Sequence, residues 1–359
     1  LPKYGYSRGF DYVKFCPGHE LDHTTFADRP LDPSMKPIDY TSYSMAYNEK
    51  GELIDDSSKA LLDEIECFLK IRQDWRSEDD NFVSVVAREA DRWLRDIRDK
   101  TRPFMLWVDS FDPHEPWDPP SIWNKEPCPY DPDWKGNPIM LAPWTPVEGR
   151  ITDEECAHIR ALYAENIELV DKKIGKLLDS IRDQGLWDET LIIITSDHGQ
   201  PMGKGEHGHG IMRKCRPWPY EELVHVPLMM HIPGIEGGKR IKGFVQNVDI
   251  APTILEALGY LEDFGAQGGA FGFPVFGAMD MQGHSLLPMV RGEVDKVRDF
   301  AIAGYFGMSW SIITEDYTYI HWLLKNSTQN DVVKAHHAGH DIMEDEAIWT
   351  CTVGAKQDV

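Results

Sequence analysis

A chain of 359 residues, 42% hydrophobic and 27% charged, is long enough for a large domain plus a small one and too rich in apolar side chains to be disordered. Its 60 acidic residues against 37 basic ones give a formal charge of −23, which sets it against nucleic acid and anionic membranes as partners. No stretch of about 18 apolar residues is present to span a bilayer, and Cys16, Cys67, Cys128, Cys156, Cys215 and Cys351 lack both CxxC spacing and the density of a disulfide framework, so they read as free thiols with at most a chance disulfide.

Residues 1–60, rich in Gly, Pro, Asp and aromatics, read as loops over a scaffold. Phe82, Val86, Ala90, Trp93, Leu94 and Ile97 recur at helical spacing over 81–99, with Asp79 and Asp80 as cap candidates. Pro103 breaks that helix, and Phe104 to Val108 is expected to be a buried strand followed by a Pro-rich loop, 109–120. Thr152 and Glu155 form a capping box for a long helix whose apolar face is Ile159, Leu162, Ile167, Val170, Ile174, Leu177, Leu178 and Ile181, with Gly185 as its stop. Leu191 to Ile194 and Leu228 to Ile232 follow as further buried strands. Pro252 is expected as the first residue of a helix that runs to Gly259, with Asp249 just ahead of it.

Helices alternating with apolar strands predict an α/β fold with a mostly parallel sheet flanked by helices, whose ligands sit at the C-terminal strand ends. From Phe300 to Phe306, Ser309 to Thr314 and Tyr317 to Trp322 the pattern changes to short strands joined by tight turns, part of a small antiparallel C-terminal subdomain. The expected division is 1–292 for the α/β domain and 293–359 for the partial subdomain. The His-rich tail beyond 325 shows no cap or core pattern.

Two strand-end loops carry candidate chemistry. Ser196-Asp197-His198-Gly199 places a carboxylate beside an imidazole, a combination suited to a divalent cation, although Asp197 capping a turn beside a packed His198 explains four residues equally well. Gly205-Glu206-His207-Gly208 follows, and then Arg213, Lys214 and Arg216 concentrate positive charge in an acidic chain, as an anionic substrate would need. In the other loop, Asp112-Pro113-His114-Glu115-Pro116 frames His114 with prolines, making it a candidate general acid or anion contact; the alternative is an exposed turn.

Taken in order, Gly9-Phe10-Asp11, RPFMLWVDSFDPHEPWDPP (102–120), LIIITSDHG (191–199), YEELVHVPLMMHIPG (220–234), NVDIAPTILEALG (247–259) and GHSLLPMVRG (283–292) resemble the sulfatase family of the alkaline phosphatase superfamily. The resemblance implies a sulfuric ester hydrolase acting on a small-molecule or carbohydrate sulfate ester. Asp197 and His198 would be two ligands of one divalent cation, calcium favoured, with manganese and magnesium as alternatives. His114 and Lys214 would contact the sulfate and the leaving-group oxygen, with Arg216 and His207 among the substrate-binding residues. Counting back from Tyr220 puts Arg216 in the lysine register and counting forward from Gly208 puts Lys214 there; Lys214 is preferred because an ammonium gives up a proton more readily than a guanidinium. The polar heads of His114, Lys214 and Asp197 are expected to face one cleft.

The family nucleophile, a formylglycine made from Cys or Ser in a CxPxR-type motif, has no match here. Cys16-Pro17-Gly18-His19-Glu20 lacks the proline and arginine positions, and Asp55-Asp56 does not follow an apolar strand. The formylglycine and a paired Asp are therefore expected upstream of Leu1, which leaves the chain alone inactive, with weak metal affinity and exposed apolar faces. Two other readings stay open: a phosphonate or phosphate ester hydrolase of the same superfamily, and a non-catalytic fragment or binding protein on this scaffold. The residues do not specify compartment or oligomeric state, and the loops at 120–150 and 260–282 are expected to set the substrate.

Overall fold

Local signals account for most of the helices. The computed structural model describes residues 7–16, 29–143, 145–204, 208–214, 219–260, 281–305, 309–322 and 350–355. Its principal helices are α1 (Asp56–Arg72), α2 (Phe82–Arg92), α3 (Asp153–Asp183), α4 (Ile250–Ala257) and α5 (Leu287–Arg291). Its strands are β1 (Thr145–Pro146), β2 (Ile192–Thr195), β3 (Met202–Gly203), β4 (Ile211–Met212), β5 (Leu228–His231), β6 (Ala301–Tyr305), β7 (Ser309–Ile313), β8 (Tyr317–Trp322) and β9 (Thr350–Ala355). The chain divides into two compact units, Leu1–Trp187 with Pro201–Lys214, and Asp188–Gln200 with Cys215–Val359. The expected boundary at 292/293 falls inside the second unit.

In the first unit, the α3 capping box forms as the sequence requires: Thr152 Oγ1 accepts from Glu155 N at 3.1 Å and Glu155 Oε2 accepts from Thr152 N at 2.8 Å. Gly185, at φ 69°, follows the helix in the left-handed conformation that a residue with a Cβ rarely adopts. Ile159, Leu162 and Ile181 of its expected apolar face are buried, but Ile167 is 44% exposed and Leu169 packs inward instead. Helix α2 is capped by Asn81, not by Asp79 or Asp80; Asn81 Oδ1 accepts from Val83 N at 3.1 Å. Asp79 instead holds the buried Lys173 ammonium at 2.8 Å, and Asp80 closes a capping box with Ser77. Helix α1, which begins inside a stretch read as loop, is capped by Asp55 and buries Leu61, Ile65, Phe68 and Leu69. These side chains join Trp117, Ile139 to Ala142, Ile159, Leu162 and Met212 in one core, over which the short ladder β1-β4-β3 runs antiparallel.

Residues 104–108 do not form the buried strand expected of them. Met105, Trp107 and Val108 are 62, 66 and 43% exposed, and the segment enters no ladder. An apolar run becomes a strand only where a second strand runs beside it, and among the described residues none pairs here. Phe104 is held by ring contacts, edge to face with Trp93 at 5.8 Å and under Arg98 at 5.1 Å.

In the second unit, β2 and β5 pair antiparallel, from Ile192↔His231 to Thr195↔Leu228, and are half-buried, with Met229 55% exposed. The parallel pairing expected of them does not occur; every ladder among the described residues is antiparallel. Apolar runs report burial but not strand direction, which depends on distant partners. The meander β6-β7-β8 forms where the sequence places it, and β9, from the tail, adds to its edge. Helix α4 starts at Ile250, two residues before Pro252. The buried Asp249 is less a cap than a hub: it accepts from Gln246 N at 2.7 Å, His284 N at 2.8 Å and Arg298 Nη2 at 2.6 Å. No helix among the described residues is long and apolar enough to cross a membrane.

Candidate active site

The loop after residue 108 turns its polar residues inward. Asp112, Glu115 and Asp118 are all buried, as is Trp117, whose backbone N–H donates to Met140 O at 2.6 Å. Buried carboxylates need partners, because an uncompensated charge in a low-dielectric interior is strongly unfavourable. Two arginines supply them. Arg72, at the end of α1, lies under the rings of Phe68, Trp75 and Phe82 at about 5 Å and donates through Nε to Asp118 Oδ2. Arg213, directly after β4, donates through Nε to Glu115 Oε1 at 2.9 Å and reaches Glu64 of α1 through Nη2 at 3.1 Å and Nη1 at 3.3 Å.

The two clusters titrate in opposite senses. Burial pushes Asp112 up to about 6 against the pull of Arg72, and pushes Asp118 up to about 7, with Asp112 adding to the rise. One guanidinium cannot offset two desolvated carboxylates. Burial also raises Glu115, but Arg213, His114 and Lys214 outweigh it and hold the carboxyl at about 2. Asp112 keeps one backbone partner, accepting from Val83 N in the first turn of α2 at 2.8 Å. The His114 loop thus meets a helix N-terminus, where negative charge is favoured.

His114 sits between these clusters with its side chain 7% exposed. Its Nδ1 is 2.5 Å from Glu115 O; a carbonyl only accepts, so Nδ1 is assigned the proton and Nε2 the lone pair. Nε2 meets the Lys214 ammonium in a hydrogen bond. The structure therefore brings together His114 and Lys214, 100 positions apart in sequence. Phe111 packs edge-on against the His114 ring at 6.2 Å.

Asp197 and His198 follow the C-terminal end of β2 in the second unit. The Asp197 side chain is 88% exposed, with Oδ1 accepting from His198 N at 2.9 Å and Oδ2 3.8 Å from His198 Nε2. His198 Nδ1 lies 2.7 Å from Gly199 O, which assigns it the proton and leaves the lone pair on Nε2. Gly199 admits no other residue: a Cβ there would stand 2.2 Å from Glu222 O, and its N–H donates to Leu223 O at 2.7 Å. An exposed carboxylate beside an oriented imidazole fits two positions of a hard divalent cation. Among the described residues no cluster of three or more such side chains forms. His207 and Arg216 lie outside the described residues.

Arg213, expected in the cationic patch for an anionic substrate, is instead buried and paired with Glu115 and Glu64. Reading by motif missed Glu64, Arg72 and Glu115 as parts of this region. The available signal was adjacency: Glu115 neighbours His114 and is ionisable.

Comparisons with known proteins come from three directions. A family model described as "Sulfatase" matches residues 5–260, and one described as "N-sulphoglucosamine sulphohydrolase, C-terminal" matches 205–348. Arylsulfatase K of Bos taurus is 28% identical over 217 residues, 52% of this chain and 36% of that protein. An arylsulfatase of Clostridium perfringens is 29% identical over 211 residues, 54% of this chain and 41% of that protein. This chain thus spans well under half the length of these two curated relatives. Among solved structures, the phosphonate monoester hydrolase of Agrobacterium radiobacter aligns at TM-score 0.51 and 23% identity, covering 69% of this chain and 53% of that one. A protein solved with its substrate D-glucosamine-2-N,6-O-disulfate aligns at TM-score 0.50 and 21% identity, covering 75% and 62%. These likenesses establish an α/β fold of the alkaline-phosphatase-like kind.

Proposed function

The chain belongs to the sulfatase family, and from that premise we propose that it forms part of a hydrolase of sulfate esters, with a sulfated carbohydrate as the favoured substrate class. The observation that carries this reading is the hydrogen bond between the Lys214 ammonium and His114 Nε2. It places a cationic donor and a proton acceptor side by side in a chain of net charge −23, where an anionic substrate needs local positive charge. The C-terminal match to N-sulphoglucosamine sulphohydrolase and the likeness to a protein holding a sulfated glucosamine support the carbohydrate class.

In this reading Lys214 holds a sulfuryl oxygen through charge-assisted hydrogen bonds. The Nζ–H···Nε2 bond carries the transferable proton. As the ester bond breaks, negative charge grows on the departing oxygen and the pair delivers that proton to it. Glu115 O keeps the His114 ring fixed through Nδ1, so Nε2 stays directed at Lys214. Asp197 and His198 Nε2 would hold a divalent cation, calcium favoured, which would supply further charge neutralisation for the sulfuryl oxygens. The formylglycine that the family uses as nucleophile belongs to the same reading.

The test is turnover of an aryl sulfate and an aryl phosphonate monoester, side by side, by a protein that carries this chain. The sulfate ester is expected to be favoured by at least about tenfold in kcat/KM. Preference for the phosphonate would move the chain to the other esterase class of the superfamily.

A further inference from the structure

Glu115 and Arg213 each stand one residue from a member of the His114–Lys214 pair, and they bind each other. The Glu115 side chain is 0% exposed and that of Arg213 is 2%. Besides its bonds to Glu115 and Glu64, the Arg213 fork donates through Nη1 to Ala142 O at 3.1 Å. A planar guanidinium held at three of its nitrogens by two carboxylates and a carbonyl keeps almost no rotational freedom. Arg213 also sits at φ 67°, a conformation that residues with a Cβ avoid unless their surroundings enforce it. The backbone that carries Lys214 is therefore fixed relative to the backbone that carries His114.

The charges carry the argument further. Glu64, Glu115 and Arg213 together hold one excess negative charge, and the Lys214 ammonium carries the opposite sign. Among the described residues Glu115 Oε2 has no hydrogen-bond partner, but it lies 3.6 Å from His114 Nδ1, so its charge acts on the ring through space. Asp112 faces the same ring electrostatically, and Tyr163 of α3 faces Glu115.

We propose that Glu115 and Arg213 are positioning residues for the His114–Lys214 pair: the buried Glu64–Arg213–Glu115 chain sets the approach of the two side chains and the direction of the hydrogen bond between them, Lys214 as ammonium donor and His114 Nε2 as acceptor. The geometric part stands on its own; only its consequence for turnover rests on the proposed sulfate-ester chemistry.

The experiment is NMR of the full chain with isotope-labelled histidine, the His114 signals being identified by their loss in H114N. E115Q keeps the shape and the backbone carbonyl but removes the charge. It is expected to lower the proton affinity of His114 by about tenfold, one pH unit in its titration. E64Q alters a carboxylate that is 28% exposed and so tolerates change. It is expected to shift the titration in the same direction by a smaller factor, which decides the matter if E115Q does not fold. K173M breaks a different buried ion pair of the same unit and is expected to leave the His114 titration and tautomer unchanged. An unmoved titration in both glutamate variants, or an equal shift in K173M, would overturn the proposal. Where the protein turns over an aryl sulfate, E115Q is also expected to lower kcat at least about tenfold and to displace one limb of the pH profile, with KM changed by less than about threefold. An unchanged kcat and profile would overturn the functional part. A protein inactive on sulfate esters overturns the proposed function instead, and the NMR result still decides the positioning role.

Discussion

The loop that carries His114 and the loop that carries Asp197 begin alike, each after an apolar run of four or five residues, and end in opposite surroundings. Residues 104–108 are largely exposed, yet the loop after them buries Asp112, Glu115 and Asp118. Residues 192–195 sit in a ladder, yet the loop after them leaves the Asp197 side chain 88% exposed. The apolar run does not determine how buried its loop becomes. What does is whether a counter-charge waits for the loop: α1 brings Arg72 to the first, and Arg213, itself held by Glu64 of α1, comes from the end of β4.

The largest expected effect breaks the buried side of this comparison. R213M leaves Glu115 and Glu64 without their guanidinium, and chemical denaturation is expected to show a loss of about 3–5 kcal/mol. A loss under about 1 kcal/mol would mean that the ion chain does not organise the loop.

The next effect concerns pH. Asp112 and Asp118, raised to about 6 and about 7, keep protons in the folded chain that the unfolded chain has released above its ordinary carboxylate range near 3.8. Stability attributable to them is therefore expected to fall as pH rises from about 4 to about 7. Glu115, lowered to about 2 from 4.5, works the other way: its contribution is complete above about 4.5 and is lost as pH falls through about 2. D118N is expected to flatten the slope between pH 4 and 7 by up to about 1.4 kcal/mol per pH unit. Denaturation series at several pH values check this.

The smallest effect on stability belongs to the exposed side. D197A is expected to change unfolding free energy by less than about 0.5 kcal/mol, since that side chain is 88% exposed. The same variant is expected to abolish calcium binding measured by calorimetry, which would separate a ligand role from a structural one.

What could be read from the sequence divides along the same line. Helix α3 and the β6-β7-β8 meander were legible because their signals are local: a capping box at Thr152 and Glu155, a glycine at 185, alternation between close turns. His114 and Lys214 were legible as motif positions. The antiparallel pairing of β2 with β5 and the fate of residues 104–108 were not, because both depend on which strand arrives alongside. Nor were the buried ion clusters. Their partners lie 46, 98 and 149 positions apart, and Arg and Glu read as surface residues until a structure shows them paired. The start of helix α1 was missed for a related reason: the Gly- and Pro-rich composition of residues 1–60 drew its Asp55 cap and first turn into a loop.

The central claim is that His114 and Lys214 act on a sulfate ester as one unit, and a double-mutant cycle on aryl sulfate turnover tests it most directly. H114A and K214A are each expected to lower kcat/KM by at least about 100-fold, and the double variant to fall little further than either single one, because groups that share a proton fail together. Independent, multiplicative losses, or a K214A enzyme with undiminished turnover, would contradict it.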